Sequence, residues 1–523
     1  MTSNIKAVVI IALIVALPAC EKSAAPFLAD YARLDLLITD ARIFDGVRTE
    51  AINADVVIHD GAIVDVGQHG FSAQELTERV VRTINADGRV LSPGFIDLHS
   101  HGDPLETPQF ENFLAMGVTT IALGQDGSSP EVDDLSLWLK KVAEIGIGPN
   151  LAMFVGHGTL RSQSGIGLSA IPNPADLQAM LSALDRSLAY TFGLSTGLEY
   201  SPGLHAGSQE LQALAKIVGK NGRLIMSHMR NEDDDQLEAS IAELLEQGQF
   251  AQVHISHLKS VFGTGAARAE ELLAILNNAR AAGVEVTADV YPYTASYAGV
   301  SLLFPVWAKT AEQFALARTE RHEELREYLR NRVNRRNGPE ATLLGTEPYT
   351  GRTLADVSFE LEMPFEDVLI DVIGPQGASA AYFVMNDDLQ SRLLRDEYVG
   401  VCSDGSPTGF HPRGHGTFAK IIQKYVNEER LMTLGETIVK LTSFPAAVLG
   451  INDRGAVREG MMADLLIFDP ANVRENATFP APFQFADGFD VVIVNGRVAR
   501  ENGRLSATLS GRVLRPQTLD SAN

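Results

Sequence analysis

The run Leu91-Ser-Pro-Gly-Phe-Ile-Asp-Leu-His99-Ser-His101 ends an apolar stretch in two histidines one residue apart. On an extended strand, side chains two apart point to the same side. His99 and His101 can therefore face one point, where paired imidazoles suit a divalent metal. Taken alone, such a pair is more often two polar residues at a strand end. Here it closes the first core strand of a long α/β chain, and further His and Asp residues recur where later strands end. That recurrence turns the balance toward a metal site.

The elements that must hold these residues follow from the periodicity. From about 90 to 455, apolar strands alternate with helical stretches, the pattern of parallel βα units. Eight strands are predicted: Val90–His99, Val118–Gly124, Asn150–His157, Ala189–Leu198, Arg223–Met229, Ala251–Leu258, Glu285–Tyr293 and Glu397–Asp404. Eight such units make a TIM-type (β/α)8 barrel, whose active site lies at the C-terminal ends of the strands. Those ends carry His99, His101, Asp126, His157, Tyr200, His228, His257, Tyr293 and Asp404. His254, three residues before His257, is expected on the opposite strand face and is read as ordinary.

Short strands with Asp-Gly turns fill residues 28–90, and the same texture returns over 456–515. The two are expected to form one small β-sandwich domain from both chain ends, around a barrel spanning 91–455. The long connection from Ala298 to Leu394 breaks the short-loop pattern. Its Glu/Arg-rich part, Thr319–Asn337, reads as one or two solvated helices, and an insertion around 298–345 is either a lid over the rim or a surface helix pair.

Lys6 precedes an apolar run from Ala7 to Leu17, followed by Leu17-Pro-Ala-Cys20. The run is too short for a stable transmembrane anchor and resembles a bacterial lipoprotein signal. Residues 1–20 are thus expected to be the signal, Cys20 the lipidated first residue, and 21–27 a tether. This places the chain in the bacterial envelope, on the periplasmic side. Cys402 is then the one cysteine left, so no intrachain disulfide forms. The 523 residues carry a formal net charge of −23, which argues against a nucleic-acid surface.

His99, His101, His228, His257 and Asp404 together resemble the ligand set of the amidohydrolase superfamily. Longer stretches narrow the resemblance to N-acyl-D-amino-acid deacylases (D-aminoacylases): Val155-Gly-His-Gly-Thr-Leu-Arg161, Gly193-Leu-Ser-Thr-Gly-Leu-Glu-Tyr200, Ser227-His-Met-Arg-Asn-Glu232, Asp289-Val-Tyr-Pro-Tyr293, Ser403-Asp-Gly-Ser406 and His411-Pro-Arg413. The resemblance implies one or two divalent ions, zinc foremost, and a proton-handling role for Asp404. In that family a metal-ligand Cys usually follows the second strand. Here Gly124-Gln-Asp126-Gly127 puts Asp126 in its place, a harder ligand than sulfur. Some relatives bridge two metals with a carbamylated Lys on strand four, but Thr191–Tyr200 contains no Lys. Glu199 is a second conceivable bridge; continued strand alternation would point it away from Tyr200, so it ranks below Asp126.

The family match also implies that Lys259, Tyr293, Ser296 and Arg413 contact the substrate, and that Tyr200 assists the oxyanion. His157 is either a substrate contact or a hydrogen-bond partner of neighbouring backbone. The expected reaction is hydrolysis of an N-acyl-D-amino acid to a carboxylate and a free D-amino acid. A dipeptidase or cyclic amidase acting on D-residues is the rival enzyme reading, and a non-catalytic envelope binding lipoprotein the rival from another class.

Overall fold

The computed structural model describes residues 31–69 and 71–517. The signal and tether expected over 1–27 lie outside the described residues. Eight parallel strands form one sheet: Phe95–Asp97, Val118–Leu123, Asn150–Gly156, Gly193–Gly197, Leu224–His228, Gln252–Ile255, Val286–Val290 and Val399–Val401. The sheet closes just beyond its ends. The Asp404 amide donates to the His99 carbonyl (2.8 Å), the His101 amide donates to the Gly405 carbonyl (2.8 Å), and Ser100 bridges to Gly405. The barrel is therefore complete at the rim where the chemistry gathers.

Alternation sorts the strand residues into two layers. Ile121, Leu123, Leu151, Met153, Ile225, Val253, Ile255 and Val401 face the surrounding helices in the largest core cluster. Ala122, Ala152, Phe154, Leu224 and Met226 point the other way and meet Ala446, Val448 and Leu449 from a helix, Ser443–Leu449.

The first strand departs from expectation. The predicted Val90–His99 is two strands with different partners. Val90–Pro93 pairs with Leu34–Ile43 and Leu465–Phe468 in the terminal sheet, and only Phe95–Asp97 enters the barrel. Gly94 marks the handover: a Cβ there would lie 2.1 Å from Thr119 Oγ1, so the chain passes against the second barrel strand where no side chain fits.

Both chain ends do build one β domain, a nine-stranded sheet. Leu466 and Phe468 face the barrel, while Leu465 and Ile467 pack with Ile38, Val56 and Ile493 on the opposite side. The tail then leaves that domain. Gly511 and Val513 bridge back to Ile147 and Leu151 of the barrel.

The insertion is larger than the helix pair expected. The helices Ala311–Glu320 and His322–Arg335 share a core with a three-stranded sheet of Ser296–Gly299, Thr342–Leu344 and Ser379–Tyr382. Leu325, Leu329 and Val333 bury one face of the second helix in that core. Among the described residues no helix is long and apolar enough to cross a membrane.

Candidate metal centre

Asp126 is aimed by its turn. Gly124 and Gly127 adopt φ of +81° and +73°, and Asp126 itself sits at +54°, a left-handed conformation uncommon outside glycine. The fourth strand clamps this turn. Ser195 Oγ donates to the Gly124 carbonyl (2.5 Å) and accepts from the Gly127 amide (3.1 Å). A Cβ on Gly197 would lie 2.0 Å from the Asp126 carbonyl oxygen, so only glycine fits beneath it. The Gly-Leu-Ser-Thr-Gly stretch thus has a mechanical reason: its Ser and second Gly seat the carboxylate that follows the second strand, two strands away in the sheet.

His257 and Asp404 also follow their strands in left-handed conformation, at φ +39° and +49°. His257 lies beyond the strand end at Ile255, and its amide donates to Asp289 Oδ1 (2.5 Å). His254 is not on the outer face as expected. Its neighbours Val253 and Ile255 face the helices, whereas His254 is buried 3.0 Å from Asp289 Oδ2, with Nδ1 2.7 Å from Thr287 Oγ1. It lies on the far side of the carboxylate that holds His257. Asp97 works similarly at the barrel seam, accepting from the Ser403 amide and hydroxyl and from the His99 amide. Burial pushes its carboxyl up to about 7 against those hydrogen bonds.

The strand ends bring the six expected donor residues together in two sets that share Asp126. His99, His101, Asp126 and Asp404 form one, and Asp126, His228 and His257 the other. Asp126 Oδ1 lies 3.3 Å from His99 Nε2, 3.4 Å from His257 Nε2 and 3.7 Å from His228 Nδ1, while Oδ2 lies 3.5 Å from His101 Nε2. Asp404 Oδ1 is 3.1 Å from His101 Nε2.

The chemistry of this set fits a divalent cation. His99 is fully buried, and neither ring nitrogen has a hydrogen-bond partner. Burial lowers its pKa, which keeps it a neutral, ligand-ready imidazole. Burial alone would lower His101 too, but the Asp126 and Asp404 carboxylates outweigh it and hold it up at about 9. The same carboxylates raise His257 to about 10 against burial and Lys259. The pocket therefore attracts positive charge to its centre.

A cavity of about 280 Å³ opens over the set. The barrel contributes Tyr200, Glu232, Lys259 and Tyr291, and the insertion contributes Ser296, Tyr297, Leu302 and Arg336. Burial, reinforced by Asp126 and Glu199, raises the Tyr200 hydroxyl well above its ordinary pKa, so it stays a donor. Arg413 Nη1 faces Asp404 Oδ2 at 2.7 Å. Burial opposes ionisation of Asp404, yet Arg413 and His257 hold its carboxyl well below the usual range.

Several expected roles change. Tyr293 does not line the cavity: the strand ends at Val290, and the Tyr293 hydroxyl donates to Glu475 (2.5 Å), leaving Tyr291 in the wall. His157 is also outside the wall. Its Nε2 lies 2.7 Å from Glu210 Oε1, and Arg161 Nη1 donates to both Glu210 oxygens, so its partner is a carboxylate and not backbone. Lys259 lines the cavity, but its ammonium donates to Glu232 (2.7 Å) and the His257 carbonyl (3.2 Å) and lies 2.7 Å from His257 Nδ1. Glu199 does not point away. The strand stops at Gly197, alternation stops with it, and Glu199 Oε2 lies 3.1 Å from His228 Nε2. Cys402 is buried and stands outside the donor sets; desolvation raises its thiol well above the ordinary value.

Sequence reasoning missed Glu232, Tyr291 and Arg336. Glu232 ends the quoted Ser-His-Met-Arg-Asn-Glu stretch, and Tyr291 lies within Asp-Val-Tyr-Pro-Tyr, so both carried a signal. Arg336 had none, being one of many charges in a solvated-looking helix.

Comparison with known proteins agrees with this geometry. Residues 156–500 match the Amidohydrolase family. An N-acyl-D-aspartate deacylase of Alcaligenes xylosoxydans xylosoxydans is 31% identical over 93% of this chain and 96% of its own length. An N-acyl-D-glutamate deacylase from the same organism is 30% identical over 89% and 93%. The crystal structure of N-acyl-D-glutamate deacylase from Bordetella bronchiseptica, complexed with zinc and a phosphonate inhibitor, superposes with a TM-score of 0.80 at 30% identity, over 92% of this chain and 100% of that one. By its matched length, its identity to these relatives and its barrel, the chain belongs to the amidohydrolase family, in the branch of the N-acyl-D-amino-acid deacylases.

Proposed function

We propose that the protein is a metal-dependent amidohydrolase that cleaves the linear amide of N-acyl-D-amino acids, releasing a carboxylate and a free D-amino acid. The observation that carries this reading is the pair of donor sets sharing Asp126 on the floor of a substrate-sized cavity, with Asp404 beside them. His99, His101, Asp126, His228, His257 and Asp404 would hold one or two divalent ions, zinc foremost. Such an ion supplies Lewis acidity and brings the pKa of a bound water near neutrality.

The chain's own groups do the rest. Asp404, ionised at neutral pH, accepts the proton of the attacking water and returns it to the leaving nitrogen. Tyr200, held protonated by burial, donates to the developing oxyanion. Ser296, whose buried hydroxyl has no partner, and Arg413 take the substrate α-carboxylate. Glu232, itself held by Lys259, lies 3.2 Å from His257 Nδ1 and would accept its proton, leaving Nε2 to face an ion.

The test is metal analysis of protein lacking residues 1–20, paired with hydrolysis of matched N-acetyl-D- and N-acetyl-L-amino acids. D-selective acetate release by metal-loaded protein is expected. Bound metal with no release from either series would overturn the deacylase reading and direct the search to D-residue dipeptides and cyclic amides.

We infer also that the chain is lipid-anchored through Cys20 on the periplasmic side of a bacterial envelope. The support is the Leu-Pro-Ala-Cys20 ending directly after the apolar run. Cys20→Ala should move the protein from the membrane fraction to the soluble one; unchanged fractionation would remove the anchor.

A further inference from the structure

His228 joins its donor set through one nitrogen. Its Nδ1 lies 3.0 Å from His257 Nε2 and 3.7 Å from Asp126 Oδ1, where the second set converges. Its Nε2 turns the other way and lies 3.1 Å from Glu199 Oε2. A carboxylate accepts hydrogen bonds and does not donate them, so this contact puts the imidazole proton on Nε2. The Nδ1 lone pair is left toward the centre. A neutral imidazole faces a cation with one nitrogen, and the partner of the other nitrogen decides which one it is.

Glu199 reaches His228 because the fourth strand stops. Gly193–Gly197 pairs in parallel with Leu224–His228, and Gly197 stands opposite His228. Beyond Gly197 the chain turns. The Leu198 amide donates to the His228 carbonyl (3.1 Å), and the Tyr200 amide donates to the Gly197 carbonyl (3.2 Å). The carboxylate that follows one strand therefore meets the histidine that ends the next. Tyr200, from the same turn, packs against His228 with ring centroids 4.5 Å apart, so one short segment sets both the plane of the imidazole and its proton. Glu199, His228 and Glu232 can also be grouped as a third set of donors. Charge argues against an ion there. Glu232 already carries the Lys259 ammonium at 2.7 Å, and His228 Nε2 would have to give up its proton.

We propose that Glu199 is a positioning residue that holds the His228 proton on Nε2 and so presents Nδ1 to a divalent ion shared with Asp126 and His257. This rests on the metal-dependent reading above and is independent of which amide is cleaved. The carboxylate acts through His228 and does not bridge the ions.

The test is zinc binding to protein lacking residues 1–20, measured by competition with a chromophoric chelator in wild type, Glu199→Ala and Glu199→Gln. The thermal midpoint of each metal-free protein is measured alongside. Glu199→Ala should raise the zinc Kd of the set holding His228 by about 10–100-fold, the usual effect of removing the outer partner of a metal-bound histidine, and leave the metal-free midpoint unchanged. If two ions bind, one Kd should move, because the other set does not include His228. Glu199→Gln keeps a carbonyl that can accept from Nε2, so its Kd should fall between those of wild type and Glu199→Ala. It serves alone if Glu199→Ala does not fold. A Kd equal to that of wild type in both variants overturns the proposal. So does an affinity loss that is as large in Glu199→Gln and comes with a lower metal-free midpoint, which would make Glu199 a support of the turn. Loss of one whole ion from a wild-type count of three would make Glu199 a ligand and overturns it too. A wild type that binds no zinc fells the metal-dependent reading and this inference together, which tells the two failures apart.

Discussion

Asp404, buried, and Asp126, half-buried, are both within reach of histidines, but they differ in what else they touch. Asp404 has an arginine on its second oxygen and opens to the cavity, so it can lose and regain a proton with water at hand. Asp126 has both oxygens turned to imidazoles. Asp404→Asn should keep the fold and bound metal while lowering kcat by about 10²–10⁴-fold, the usual range for a general acid–base group. Steady-state kinetics with metal analysis check this, and an unchanged kcat would take Asp404 out of the proton path. Asp126→Ala should instead lower metal content in both halves of the site. A third carboxylate, Glu210, is structural. Burial raises its pKa, but His157 and Arg161 outweigh that and lower it from the ordinary 4.5. Its folded pKa is depressed, so its stabilisation is present above about pH 4.5 and is lost as pH falls through the lower folded value. Glu210→Gln strands the buried Arg161 charge and should cost about 3 kcal/mol at pH 7. Unfolding midpoints of the two proteins should converge below pH 4.5; a pH-independent gap would deny the ion pair that role.

At the scale of elements, precision comes from one strand seating the turn that follows another. The Gly124–Gly127 turn holds Asp126 because Ser195 bonds both of its ends and Gly197 leaves room below. Gly197→Ala would drive a methyl against the Asp126 carbonyl oxygen, where the space is 2.0 Å. That contact cannot be relieved by rotating a side chain. The expected outcome is a folded barrel with reduced metal occupancy, measured by metal analysis of purified protein; full occupancy would show that the turn can shift without cost to the site. Gly94 tells the same story at the domain junction, where the chain leaves the terminal sheet and must pass Thr119. The insertion acts differently. It has its own core, and it reaches the site through the edge strand Ser296–Gly299 and the helix end at Arg336.

For the whole molecule, the centre is assembled from the ends of five barrel strands, the first, second, fifth, sixth and eighth. His99 and Asp404 lie 305 positions apart, yet the Asp404 amide donates to the His99 carbonyl at 2.8 Å. An unfolded chain offers no such site, so an ion bound at the centre stabilises the fold by linkage, by about 2.7 kcal/mol at a free concentration one hundred times its Kd. Chelation should therefore lower the thermal midpoint, and readdition of zinc should restore it. A midpoint indifferent to a metal shown to be bound would mean that the ion sits on a surface also present in the unfolded chain.

The sequence alone determined what depends on local periodicity and residue type. Alternating strands and helices specify the barrel, and the strand ends specify which rim carries the histidines. Asp126 was legible because a glycine-flanked carboxylate sits where a soft ligand is expected, and Cys402 because a lone small thiol on a core strand is ordinarily buried. Tertiary structure decided whatever depends on where a strand stops. Two-residue alternation holds only while the chain is extended, so it misplaced Glu199 past Gly197 and Tyr293 past Val290, and counting back from His257, which lies past Ile255, put His254 on the wrong face. It likewise ran Val90–His99 as one strand, because a glycine at a sheet junction reads the same as any other. Arg336 lay beyond sequence reasoning for another reason. The charges of the helix before it look alike along the chain, and only packing of the insertion against Asp233 separates the buried arginine from the solvated ones.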